Sequence, residues 1–474
     1  MNRPSGQPFF AVFNYTMTHE SQIRAPDANT IHDPAGVRVP AYQPDTPEVR
    51  SNWAQYYDRI TQLDAVVAKR LNELDEAGVA EDTIVFFYSD HGSGIPRSKR
   101  WPYNSGLHVP MIVYFPDKWR RLAPAEYAPG MQSDRLVDFM GLAPTVLSLA
   151  AVEPPSYMQG RAFAGSFQQA PKPYMVGFRG RMDERYDLAR SVTDGRYLYM
   201  RQYMPHRIYG QYLDYMFQTQ ATQVWKRLYD EGRLNEAQRK FWEPKPPEEL
   251  YDLQTDVDEV DNLVDSPAQQ SKLAELRQVQ QDWILQASDI GLLPENEIRN
   301  RSLGSTPYET ARDRDRYPLE RIASMADLAS SLNPEVMTEL LAAFNDADSA
   351  VRYWAALGLL MRGEEGINAG RNQLYAALAD SAAAVRVAAA EALGMYGDAA
   401  DLEAALATFS QLIEVDGNEI FIPMMALSAL DVMEEKASPL RAQIEAIDVS
   451  GVTQVRPDGR EIERLRSKIL ADLG

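Results

Sequence analysis

The sequence predicts a chain in three parts: an α/β core, a smaller antiparallel α+β piece, and a terminal α-solenoid. Three observations predict it. Two continuous apolar runs flank a long amphipathic helical pattern near the start, short strand-like segments surround an Asp-Gly turn in the middle, and a helical repeat fills the end. At 474 residues the chain exceeds one ordinary domain, and its 45% hydrophobic and 24% charged fractions are those of a globular protein with ample core.

Residues Pro8 to Tyr15 (PFFAVFNY) read as a strand buried on both faces, followed by a Pro- and Asp-rich loop from Arg24 to Pro47. From Ser51 to Ala77 the apolar residues Tyr56, Ile60, Leu63, Val67, Leu71 and Leu74 recur at helical steps, and Gly78 stands where a left-handed cap belongs. Thr83 to Tyr88 (TIVFFY) is a second apolar strand. Strand, helix and strand without a tight hairpin make a βαβ unit, so the sheet is expected to be parallel. Met111 to Phe115 adds another strand and Asp134 to Ala150 another amphipathic helix.

Between Tyr174 and Tyr203 short strands flank Asp194-Gly195, as in a hairpin. Residues 208–250 are helical and aromatic, broken by Pro244, Pro246 and Pro247. The stretch Pro294 to Pro318, with its charge run ARDRDR, reads as a linker. Beyond it Asp348 to Gly358 recurs as Asp380 to Gly394, Val351-Arg352 matching Val385-Arg386, with a weaker copy near Ile420 to Leu430. Helix-pair repeats of this kind stack, each burying its apolar face against its neighbours, and the texture resembles HEAT repeats. The expected parts are 1–170, 171–293, a linker at 294–318, and 319–474.

With 48 Lys+Arg against 68 Asp+Glu the net charge is −20, which excludes nucleic acid or an anionic membrane as the main partner. An anionic substrate would need a local basic or metal-bearing cluster. The chain has no cysteine, so disulfides, thiolate metal sites and cysteine nucleophiles are excluded. No apolar run reaches the length of a transmembrane helix, and the first residues read as the middle of a domain rather than a signal peptide.

Four of the five histidines, His19, His32, His91 and His108, fall in the first 110 residues. Asp90-His91-Gly92 closes a strand, where an acid and an imidazole can both face a metal, although Asp-x-Gly is also a common turn. His19 follows another expected strand and could reach the same edge. The basic cluster Arg97, Lys99 and Arg100 comes next; a lysine beside a metal suits a tetrahedral oxyanion, while Arg97 reads as a solvated loop residue. His108 is equally suited to a structural or a substrate-facing place. Arg179, Arg181 and Arg185, with Asp183 and Glu184, fit surface ion pairing better than a grip on a sulfated sugar. Asp256-Val-Asp258-Glu259 starts like a calcium loop but lacks its later ligand and glycine, and reads as a polar turn.

Ser89 to Pro116 (SDHGSGIPRSKRWPYNSGLHVPMIVYFP) resembles the DHG…K…G-x-x-VP-x-I segment of sulfatases, members of the alkaline-phosphatase-like superfamily. Pro8 to His19 is similar to their "PFF…H" strand, and Glu249 to Leu263 (ELYDLQTDVDEVDNL) to their late ELYDL signature. The three blocks keep the family's order across about residues 1 to 290, and the likeness is greatest to bacterial sulfatases related to heparan N-sulfatases (sulfamidases). The resemblance implies a partial α/β/α sandwich with a small C-terminal subdomain, hydrolysing sulfate esters or sulfamates on glycans. It implies Asp90 and His91 as metal ligands, Lys99 as the sulfate-binding lysine, and His19 as a sulfate contact that could also protonate the leaving group. Arg100 and His108 would face substrate. The metal implied is calcium, with manganese or zinc open because His91 is a softer ligand than calcium prefers. A periplasmic or secreted location is implied too.

The departures from the family are as informative. Sulfatases carry an Asp-Asp pair on their first strand and a C/S-x-P-x-R motif whose Cys or Ser becomes the formylglycine nucleophile, and neither motif is found here. The resemblance therefore implies an N-terminally truncated sulfatase, inactive as written, with half its metal ligands and its nucleophile missing. Its expected partner is a sulfated saccharide, with a further protein partner on the repeats. Two rival readings are a phosphodiesterase or phosphomutase of the same superfamily, and a non-catalytic scaffold using the repeats.

Overall fold

The computed structural model describes residues 6–25, 27, 30–415, 419–452 and 457–474. They form two compact units: Met1–Pro173 with Met216–Gln238, and Tyr174–Tyr215 with Arg239–Gly474.

In the first unit the helix Pro47–Glu76 starts where Thr46 accepts a hydrogen bond from the Val49 amide and Pro47 supplies a preset φ. It stops at Gly78, whose φ of +65° lets Val79 donate back to the Leu74 carbonyl at 3.0 Å. The expected capping glycine is thus in place.

The expected parallel βαβ arrangement is not what forms. Residues 8–15 are irregular backbone with Phe10 and Phe13 exposed. Strand β1 (Val85–Tyr88) pairs antiparallel with β2 (Met111–Tyr114), Val85 opposite Tyr114 and Tyr88 opposite Met111. The reason lies in the connection. Residues 89–110 fold back as a cross-linked loop instead of crossing over through a helix: Gly92 donates to the Gly106 carbonyl at 3.0 Å and Ser98 Oγ to the Ser105 carbonyl at 2.7 Å. Phe86, Met111 and Val113 pack on a small core of Phe115, Ala123, Phe163 and Ala164. The helix expected over 134–150 shortens to Leu142–Leu149, because Asp138 caps a preceding 3-10 turn through the Gly141 amide.

The second unit opens with an antiparallel sheet in the order β3 (Met175–Arg179), β4 (Ala189–Thr193), β5 (Tyr197–Gln202), β6 (Glu248–Asp252). The β4–β5 hairpin turns at Asp194-Gly195 as expected. Gly195 has φ +94°, and Asp194 Oδ1 accepts the Arg196 and Tyr197 amides. Leu273 and Leu276, on the helix Gln270–Ala287, cover Val192, Tyr199 and Leu250 of the sheet.

Residues 294–318 are not a linker. They form helices at Glu295–Arg301 and Pro307–Thr310, and Tyr317 is fully buried with its hydroxyl donating to the Asp289 carbonyl. The charges of the ARDRDR run pair locally, Arg316 with Asp313 and Arg314 with Glu320. The helical repeats follow. Ser349–Leu360, Ala383–Tyr396 and Phe421–Val432 are apolar over most of their surface and packed in succession. A second polar device also repeats. Asp348 caps one helix while receiving Arg301 at 2.9 Å, and Asp380 accepts the Ala382 amide while receiving Arg352 at 2.7 and 2.8 Å. One continuous apolar core runs from Leu188, Tyr203 and Ile284 through the repeats to Ile469, so the antiparallel piece and the solenoid are a single folded body.

Candidate functional site

The site is built from two segments of the first unit. Gly94 allows their close approach, and Gly92 lets the loop after β1 fold tightly on itself. A Cβ at 92 would lie 2.0 Å from the Ser105 carbonyl oxygen, and one at 94 would lie 2.3 Å from Glu20 Cβ. The loop after β1 is therefore pressed onto the 3-10 turn Glu20–Ile23, for which His19 is the N-cap.

Glu20 was not singled out by the sequence and proves to be the centre of the arrangement. Its side chain is wholly buried, Oε1 lies 2.5 Å from Lys99 Nζ, and both oxygens meet Arg100 at 2.8 and 2.9 Å. Burial works to raise the Glu20 carboxyl, but the bonds and charges of Arg100 and Lys99 outweigh it and hold the group below the usual carboxylate range. A lone acid next to a candidate histidine, opposed by a Lys-Arg dipeptide, was the only signal available in the sequence.

His19 keeps its Nδ1 against Ser21, 2.9 Å from Oγ and 3.4 Å from the amide nitrogen. Accepting from that amide at Nδ1 leaves the proton of the neutral ring on Nε2. Burial, then the nearby Lys99 ammonium, lower the His19 pKa against the pull of Glu20; Arg24 and His91 add to the lowering. His19, Lys99 and His91 thus lie within electrostatic reach of one another.

His91 donates from Nδ1 to the Gly92 carbonyl at 2.7 Å, since that oxygen can only accept. Its neutral ring then carries the lone pair on Nε2, the nitrogen 3.4 Å from Asp90 Oδ2. An imidazole nitrogen and an exposed carboxylate converge there as two ligand atoms would. Among the described residues, however, no group of three or more His, Cys, Asp or Glu is placed to hold a metal ion. Two donors fall well short of the roughly six to eight oxygens that calcium takes.

The two expected substrate contacts differ in their surroundings. Arg100 is 4% exposed and bidentate on Glu20, so its guanidinium serves the framework. His108 is exposed and ends the short helix Asn104–Leu107, its amide bonded to the Asn104 carbonyl. Arg97 is not a solvated loop residue. It is buried in the left-handed region at φ +66°, its guanidinium between the Tyr42 and Tyr103 rings at 4.2 and 3.9 Å.

In the second unit Arg179, Arg181 and Arg185 are committed to Asp187, Glu295 and Asp431, the last two of which lie on helices. These pairs are buried or half-buried rather than on the surface. Asp256 accepts the Val260 and Asp261 amides, which makes that segment the polar turn its sequence suggested.

Residues 1–152 match the sulfatase family model, and residues 337–421 match the HEAT repeats. The chain is similar to an ulvan-active sulfatase of Formosa agariphila, 35% identical over 337 residues covering 63% of this chain and 55% of that protein. It is also similar to the human N-sulphoglucosamine sulphohydrolase, 34% identical over 126 residues, 27% of this chain and 24% of that one. Among solved structures, a protein in complex with its substrate D-glucosamine-2-N,6-O-disulfate is similar at 16% identity and a TM-score of 0.34, over 52% of this chain and 43% of that chain. That likeness is too loose to bear on the fold. The chain spans about half the length of the Formosa relative.

Proposed function

We propose that this chain, whose residues 1–152 match the sulfatase family model and whose residues 337–421 match the HEAT repeats, binds the sulfate group of a sulfated saccharide beside His19 and Lys99. The observation that supports this reading is the meeting of two sequence-remote segments. The His19–Glu20 turn and the Lys99–Arg100 pair come together through a 2.5 Å contact, with His91 close enough to be felt by His19. An ammonium and a neutral imidazole N–H give two donors to a tetrahedral oxyanion, and a low local dielectric strengthens both. The acidic background of the chain makes this local cation the decisive term.

The substrate class comes from the relatives' names, an ulvan-active sulfatase and an N-sulphoglucosamine sulphohydrolase. Hydrolysis of a sulfate ester or sulfamate is the corresponding activity. Residues 1–474 hold no cysteine and no Ser-x-Pro-x-Arg sequence, so this chain by itself is proposed to bind without turnover. A divalent cation, calcium by family likeness, would take Asp90 and His91 as two of its ligands, and these two do not make a cage. A periplasmic or secreted location, and a protein partner on the outer side of the repeats, belong to the same proposal.

Isothermal titration of the full chain with sulfate and with a sulfated glucosamine tests the reading. Binding that Lys99→Met abolishes is the expected result. Binding indifferent to Lys99→Met, or none in the unsubstituted chain, overturns it.

A further inference from the structure

The sulfate reading leaves one group without a role. Glu20 is a carboxylate in a site meant for an anion, and it adjoins the lysine that would bind that anion. A negative charge there would be expected to weaken the site. Its geometry points the other way.

The two cations on Glu20 are held differently. Arg100 is buried and spans both carboxylate oxygens, a bidentate pair that neutralises the acid and fixes its plane. Lys99 reaches only Oε1, and its side chain keeps 14% of its surface open. An ammonium has three donors, so one bond to Oε1 leaves two for a ligand. Glu20 also directly follows His19 in the chain, and its Cβ is wedged against Gly94 in the loop carrying Lys99. The carboxylate therefore ties the flexible four-carbon stem of Lys99 to the backbone turn that presents His19. A lysine is a mobile point charge unless something holds it.

We propose that Glu20 is the positioning residue of the sulfate site: its carboxylate, neutralised by Arg100, holds the Lys99 ammonium at a fixed place beside His19 so that both donors meet the same oxyanion. The proposal rests on the sulfate-binding reading above. It assigns Arg100 the task of cancelling Glu20, leaving one positive charge for the ligand.

The test is residue-resolved amine labelling of the full chain, with peptide mapping by mass spectrometry. It is run with and without inorganic sulfate at constant ionic strength set by chloride. In the unsubstituted chain Lys99 is labelled more slowly than the exposed Lys118, and sulfate slows it further. In Glu20→Gln, Lys99 labelling rises about tenfold, the factor expected from losing a charge-assisted bond, and sulfate protection is lost. Lys118 and Lys172 of the same unit keep their rates, which separates release of Lys99 from general unfolding. In Arg100→Gln, Lys99 stays slow, because its bond to Glu20 remains.

Equal protection of Lys99 in the unsubstituted chain and in Glu20→Gln overturns the role of Glu20 while leaving the sulfate site standing. So does an Arg100→Gln chain that releases Lys99 as fully as Glu20→Gln. A lack of sulfate protection in the unsubstituted chain overturns the sulfate reading and the positioning role together.

Discussion

Arg301 grips Asp348 through two parallel bonds of 2.9 Å, and the same aspartate caps the helix Ser349–Leu360 by accepting the Ala350 amide. One carboxylate thus closes a helix end and fastens the segment before the repeats to the first of them. Burial opposes ionisation of Asp348, yet the Arg301 bonds outweigh it and hold the carboxyl below its ordinary value.

The stabilisation from that pair should therefore be complete above the ordinary aspartate range and disappear as pH falls through the lowered folded-state value. Asp348→Asn is expected to cost about 1–3 kcal/mol at neutral pH. The difference in Tm from the unsubstituted chain should shrink as pH falls below the ordinary aspartate value of about 3.9 and vanish below the lowered folded-state value. Thermal melts from pH 7 to pH 3 would show it; a constant difference would mean the charge is irrelevant.

His19 also loses stability in acid, but in a higher pH window than Asp348. Its pKa is lowered by burial and by Lys99, so the unfolded chain holds the proton more tightly than the folded one. Its neutral form contributes stability that is present above about pH 6.5 and is lost as pH falls below it. His19→Asn should flatten the stability profile below about pH 6.5, and an NMR titration of the His19 ring should give a midpoint below the ordinary imidazole value.

Gly92→Ala should damage the site without touching any charged group. The added methyl would meet the Ser105 carbonyl oxygen at 2.0 Å, which forces the loop after β1 away from its cross-links. Sulfate affinity is expected to fall about tenfold or more, with a loss of about 1–3 kcal/mol in stability. Calorimetry and a denaturant melt measure the two effects, and an unchanged affinity would show that the loop's cross-links do not shape the site.

Trp354 tests whether the repeats and the antiparallel piece melt as one. It is 1% exposed, its indole N–H donates to the Leu292 carbonyl at 2.9 Å, and its ring stands edge-on to Tyr203. Trp354→Ala should cost about 3–5 kcal/mol. Hydrogen exchange should then quicken in β5 as well as in the repeats; protection kept in β5 would argue for two independent cores.

What was legible in the sequence follows from how far each signal reaches. Gly78, the Asp194-Gly195 hairpin and the repeat helices depend on residues a few positions apart, and each forms where its local chemistry puts it. The strand pairing of Val85–Tyr88 was misjudged because Phe10 and Phe13 carry the composition of a buried strand without being paired. Direction between strands depends on the path of the connection, and Gly92 and Ser98 fold that path back. His19, Lys99 and the Asp90–His91 pair were visible as residue types in a motif order. Glu20 and the true place of Arg100 were not, because a bond spanning 80 positions leaves no periodic trace. Residues 294–318 misled for the same reason: Arg301 finds Asp348 only after the chain has turned.

Because Tyr203, Met204 and Ile284 lie in the same apolar interior as the repeats, the terminal helices are not a detachable cassette. A chimera that borrowed residues 319–474 alone would present a wet, greasy wall where those side chains belong. The sheet and the helices, Tyr174–Tyr215 with Arg239–Gly474, have to be carried across together.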